Sequence, residues 1–197
     1  MRTTVVGFAM VLLLGATASG AHAQQIRGLL GAGLSVPIGS LGDETEGAAK
    51  SGGIHGLAGV EWMPMGSRFG VRLDVGYQQF CTTLCDDDEG NLDVKYQIIH
   101  GSLNGMAEFA ADADGRIRPY VLAGVGIYNY KLRGDDVDEF TGGIDLEETD
   151  FGVSGGLGIT VDLGAAGIFL EGRFHNVFAE DESLQYLPIV LGVRFGG

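Results

Sequence analysis

Two cysteines and four prolines are few for a chain of 197 residues, and each scarcity narrows the reading. Cys81 and Cys85 stand in C-T-T-L-C, with no histidine or second cysteine pair close by in sequence, so a zinc-type cluster is a poor fit. Few prolines and no low-complexity stretch leave no linker. No shift in composition marks a second domain, and the length suits one. Lysine and arginine number 12 against 26 aspartates and glutamates, a formal charge of −14. Without clustered cations to meet phosphates, nucleic acid is excluded as a partner. Beyond the first 23 residues nothing approaches about 18 uninterrupted apolar residues, so no further membrane helix is expected. Barrel strands, which are short and carry a weaker signal each, escape that test.

The first 23 residues have the form of a removable signal peptide. Arg2 supplies a positive start, Val5–Ala18 is an apolar run relieved by Gly7 and Gly15, and Ala21-His22-Ala23 is an A-x-A cleavage signal before Gln24. The expected division is a signal peptide over 1–23 and one domain over 24–197.

Downstream of Gln24 the dominant signal is alternation. In Ile117–Arg133, Pro119, Val121, Ala123, Val125 and Ile127 fall on one side. Arg118, Tyr120, Leu122, Gly124, Gly126, Tyr128 and Tyr130 fall on the other. A period of two marks a strand, because successive side chains point to opposite faces. Similar alternation covers Ile26–Pro37, Ser51–Met63, Arg68–Phe80, Asp93–Ala111, Thr149–Leu163, Ile168–Phe178 and Gln185–Phe195, giving eight expected strands. The second, fourth and sixth connections carry tight-turn residues: Pro64-Met65-Gly66-Ser67, Asp112-Ala113-Asp114-Gly115 and Gly164-Ala165-Ala166-Gly167. The first, third, fifth and seventh are acidic and are grouped as the longer set, although the seventh, Ala179–Ser183, is itself a short loop. An up-and-down meander sends alternate connections to opposite ends, so one rim has short turns and the other acidic loops.

Mid-strand ionisable residues gather on one face: Arg27, Glu61, Arg72, Asp74, Glu108, Arg118, Glu171, Arg173 and Arg194. Two architectures accommodate this. In a soluble lipocalin-like barrel the apolar face turns inward around a hydrophobic ligand and the charges lie in water. In a membrane barrel the apolar face meets lipid and the charges fill a lumen that, at eight strands, is just wide enough for side chains. The near balance of acids and bases favours the membrane form, since a solvated surface of so acidic a chain should share the acidic excess found in its loops. Trp62, Phe69, Tyr77, Phe109, Phe151 and Phe195 lie near the ends of apolar faces, where interfacial girdles form. The expected fold is all-β, an eight-stranded antiparallel up-and-down transmembrane β-barrel.

On three stretches the chain resembles the small eight-stranded outer-membrane β-barrels of Gram-negative bacteria, the OmpA-like and OmpX-like proteins. These are RPYVLAGVGIY (Arg118–Tyr128), the glycine-rich FGVSGGLGITV (Phe151–Val161) and the last strand ending LGVRF (Leu191–Phe195). The resemblance spans residues 24–197 and speaks to architecture rather than to one activity. It implies recognition by the barrel-assembly machinery through the final aromatic residue, here Phe195 followed by Gly196 and Gly197. With no peptidoglycan-binding domain following, anchoring to the wall is not expected.

Sites for chemistry are sparse. Cys81 and Cys85, in an exported chain, are expected to form a local disulfide at the head of a loop, modestly stabilising for so short a span. The acids of Asp86–Glu89 and of the 134–150 stretch lack EF-hand spacing and fit solvated loops, with weak divalent bridging to lipopolysaccharide phosphates left open. His100 and Ser102 share a strand face, but a nucleophilic serine needs an acid that orients the histidine. Glu108 lies roughly 26 Å away at about 3.3 Å per residue. His55 and His175 also fit the lumen. Buried charges must pair or hold water, so the interior is expected to be a plug rather than a pore. The expected role is non-enzymatic and cofactor-free, in envelope integrity, adhesion or surface recognition. Outer-membrane lipids, lipopolysaccharide and the assembly machinery are the expected partners; acidic loops do not name a surface partner. The alternatives are a secreted lipocalin-like ligand binder and a lipid A-modifying enzyme using His100.

Overall fold

The computed structural model describes residues 24–39, 52–81, 95–111, 115–133, 147–179 and 183–196. They form eight strands: β1 (Gln24–Ile38), β2 (Gly53–Pro64), β3 (Phe69–Cys81), β4 (Lys95–Glu108), β5 (Ile117–Arg133), β6 (Glu147–Asp162), β7 (Ala166–Phe178) and β8 (Ser183–Phe195). Each pairs antiparallel with its neighbour in sequence, and β8 returns to β1, closing an up-and-down barrel. Closure leaves no strand edge unpaired. The expected β4 reached Ala111; the regular ladder stops at Glu108, yet Phe109 and Ala111 still donate to the carbonyls of Pro119 and Ile117 at 2.8 and 2.9 Å.

Short connections at 65–68 and 163–165 turn on glycines held in the left-handed region, Gly66 at φ 74° and Gly164 at φ 101°, a conformation that a Cβ disfavours. Gln24 and Phe195 lie at this same rim. The opposite rim joins the strands through 39–52, 82–94, 134–146 and 179–182. The last of these corrects the grouping of the seventh connection with the longer ones. Pairing of Phe178 with Ser183 carries the β7–β8 ladder almost to its end, leaving a connection no longer than 65–68.

Alternation is preserved around the barrel. Leu30, Val60, Leu73, Leu103, Ile127, Leu157, Leu170 and Leu191, one from each strand, are exposed on the outside. The polar and charged partners at alternate positions are buried inside. The inverse arrangement that a lipocalin-like ligand binder needs does not occur. Among the described residues no helix is long and apolar enough to cross a membrane, a test that does not bear on strands.

Candidate functional site

The interior is built from the same two-residue period that shapes the exterior. Arg72 and Asp74 on β3, like Glu171 and Arg173 on β7, are two apart and therefore share the inner face. Within each strand they pair, Arg72 Nε to Asp74 at 2.9 Å and Arg173 to Glu171 at 2.7 Å. Closure then brings the two strands together across the lumen. Arg72 donates to both oxygens of Glu171 at 2.7 and 2.8 Å, and Arg173 donates to Asp74 at 3.0 Å.

The network continues toward the short-turn rim. Arg194 meets Glu61 at 2.9 Å and Glu108 at 3.3 Å, Arg27 meets Glu108 at 3.0 Å, and Arg72 lies 3.7 Å from Glu61. Arg118 contacts Glu108 at 3.0 Å and, near the rim, Asp162 at 2.6 Å. All nine charged residues anticipated on the mixed faces thus lie in one continuous network, joined by Asp162, and every strand contributes. Each of the four buried carboxylates faces at least two arginines. Charge-assisted pairing of this kind is what offsets the desolvation of buried ions. Neutral groups complete it: Tyr120 donates to Glu171 at 2.8 Å, and Asn104 donates to Asp74 at 2.9 Å and to Ser102 at 3.1 Å. The Arg194 guanidinium sits 5.3 Å from the centroid of Tyr120, within cation–π range.

Toward the loop rim the filling changes character. His55, His100, His175, Tyr128 and Tyr186 form a layer of rings in mutual contact, some stacked and some tilted or edge-on. Beyond it Phe80, Tyr96, Ile98, Tyr130 and Val177 pack as a continuous cluster with Tyr128 and Tyr186. Tyr130 donates to Glu148 at 2.9 Å and also bonds Asp150. Alternation shows that each of these side chains points inward; it contains nothing about their meeting, because they come from different strands. His100 and Ser102 do not form a nucleophile–base pair. Neither ring nitrogen of His100 has a hydrogen-bond partner, and the Ser102 hydroxyl accepts from Asn104.

Outside, Trp62, Phe69, Phe109 and Phe195 ring the short-turn end, with Tyr77 and Phe151 toward the loop end; all six are exposed. Phe178, which the sequence reading passed over, stacks on Phe151 at 6.3 Å between centroids. Phe195 pairs with Gly28 across the β1–β8 seam, its ring lying where a side chain on residue 28 would stand. Cys85 lies outside the described residues, as do Asp86–Glu89 and residues 134–146. Among the described residues no group of three or more His, Cys, Asp or Glu is arranged to hold a metal ion.

Solved structures share this fold. Neisserial surface protein A (NspA) aligns with 90% of this chain and 99% of its own at 15% identity and a TM-score of 0.56. A major outer membrane protein from Thermus thermophilus aligns with 89% of this chain and 100% of its own, at 13% identity and 0.57. Ail, the attachment invasion locus protein of Yersinia pestis, solved with the heparin analogue sucrose octasulfate, aligns over 89% and 100% at 10% identity and 0.52. No curated protein matches at the level of sequence. A family model for the outer membrane protein β-barrel domain matches residues 8–195. With its closed eight-stranded sheet, apolar exterior and charged interior, the chain belongs to the outer membrane β-barrel domain family.

Proposed function

We propose that the protein is a non-enzymatic structural and surface-interaction component of the outer membrane, its lumen sealed by side chains. The observation that carries this reading is the network of five arginines and five carboxylates reaching from wall to wall. A channel needs a continuous wet path, whereas these groups are each other's partners. In this reading residues 1–23 direct export and are removed, the assembly machinery engages Phe195, and the short turns face the periplasm. Cys81 and Cys85 clip the loop after β3. The girdle aromatics Trp62, Phe69, Tyr77, Phe109, Phe151 and Phe195 set the depth in lipid.

Acids crowd the connections at the outer rim, such as Asp86–Glu89 and Asp135, Asp136, Asp138 and Glu139. A polyanion like the heparin analogue bound to Ail is therefore a poor match for these loops. The proposed contacts are cationic surfaces and lipopolysaccharide phosphates bridged by divalent ions. The test combines outer-membrane fractionation, gel mobility with and without boiling, and single-channel recording. A boiling-dependent shift in that fraction with no stable conductance is expected. Large reproducible current steps at neutral pH would refute the sealed lumen, and mature protein that does not start at Gln24 would refute the cleavage site.

A further inference from the structure

One set of titratable side chains in the lumen takes no part in the ionic network. His55 on β2, His100 on β4 and His175 on β7 are 4%, 2% and 1% exposed. Their ring centroids lie 6.0 Å apart for His55–His100 and 5.0 Å for His100–His175. Their partners are neutral. His55 Nδ1 bonds Gln78 at 2.9 Å, and His175 Nδ1 bonds the Tyr128 hydroxyl at 3.0 Å. Tyr186 stacks on His175 at 4.6 Å, and Tyr128 stacks on His100 at 5.1 Å.

The charged groups nearest this layer are Asp74 on β3 and Glu171 and Arg173 on β7, already engaged with one another and with Arg72. Inward groups beside the rings on the other strands are Ser35 on β1, Ser102 on β4, Ser154 on β6 and Pro188 on β8; toward the loop rim β6 adds Asp150, opposite Tyr128, which with Glu148 accepts from the Tyr130 hydroxyl. Three imidazoles are therefore packed side by side with no carboxylate bonded to any of them: Asp74 and Glu171 are held by arginines and Asp150 by Tyr130.

We infer that the His55–His100–His175 layer is an acid-sensitive lock that keeps the loop-side half of the lumen closed while its imidazoles are neutral. The inference rests on the sealed-lumen reading above. A first proton creates an unpaired buried cation, and a second places like charges 5 to 6 Å apart; both are relieved when water enters. Tyr128 and Tyr186 connect the layer to Phe80, Tyr96 and Tyr130, so the rings above lose their floor. The ionic network below keeps its own partners, which makes the opening one-sided. An open lumen lets an imidazole take up a proton near pH ~6.5, as a free one does. Closure is thus fully stable above that pH and weakens as pH falls, about tenfold per pH unit for each proton gained on opening.

Hydrogen exchange of the full chain in lipid vesicles between pH 7.5 and 5.0, corrected for intrinsic exchange, tests this. Protection is expected to fall at least about tenfold per pH unit below pH ~6.5, more steeply if opening takes up more than one proton, in the loop-side segments 76–81, 95–101 and 127–133, with the short-turn halves unchanged. The combined His55→Gln, His100→Phe, His175→Gln variant should lose the pH dependence. Constant protection in the parent chain, or a loss spread evenly over the barrel, refutes the lock. If the variant does not fold, imidazole nitrogen shifts of the parent chain decide. Protonation in step with exchange supports the lock, and rings that stay neutral while protection falls refute it. Stable conductance at pH 7.5 would instead fail the sealed-lumen reading, so the two failures are distinguishable.

Discussion

Replacing Arg72 by methionine removes the hub of the lumen network while roughly conserving volume. Arg72 is 1% exposed, donates twice to Glu171 and through Nε to Asp74, and lies 3.7 Å from Glu61. Removing one partner of a buried ion pair costs about 3–5 kcal/mol, because the remaining charge stays desolvated. Here Asp74 and Glu171 keep Arg173, and Glu61 keeps Arg194, which places the expected loss near the low end, about 3 kcal/mol, or a little over a hundredfold in the folding equilibrium. Urea-dependent folding into lipid vesicles, followed by the boiled and unboiled gel bands, measures it. Adding Glu171→Gln should return about 1 kcal/mol or more, since coupled neighbours are non-additive. A loss for Arg72→Met of less than about 1 kcal/mol would mean that these charges are solvated and that the lumen is not sealed.

Leu157 stands 68% exposed on the outer face at mid-strand, and Leu157→Arg should cost about 2–4 kcal/mol for folding into a bilayer; tolerance within about 0.5 kcal/mol would mean that this face does not meet lipid. Arg68→Met, at an exposed turn, should change stability by no more than about 0.5 kcal/mol, and serves as the control for Arg72. Gly158 faces the Tyr120 ring, and a Cβ there would come 2.4 Å from Tyr120 Cζ and 2.8 Å from the Leu170 carbonyl oxygen. Gly158→Ala is therefore expected to lose about 1–3 kcal/mol by overpacking, with an unchanged urea midpoint as the contrary result. Mass spectrometry of unreduced, alkylated protein should find Cys81 and Cys85 unmodified; two alkylated thiols would remove the disulfide.

Much of the wall of this barrel was legible in the residues one strand at a time. A period of two depends only on neighbours in sequence, so Val121, Ala123 and Val125 declared their common face without any tertiary information. The connection after β7 was legible as a short acidic loop, and only its acids placed it with the longer ones; chain pairing decided that the hairpin zips to Phe178 and Ser183. The pairing of Phe178 with Phe151 was missed for a related reason, since that stacking depends on β6 and β7 lying side by side.

The same distinction runs through the interior. Sequence by itself determined which residues face inward, because backbone pleating assigns sides locally: Arg72 with Asp74, Glu171 with Arg173, His100 with Ser102. Only the closed tertiary structure decided which of them meet. Arg72 and Glu171 lie 99 residues apart, and their contact depends on the registers of all eight strands together. That is also why the ionic network and the separate histidine–tyrosine layer, both written in inward-facing residues, became distinguishable only once the barrel was closed.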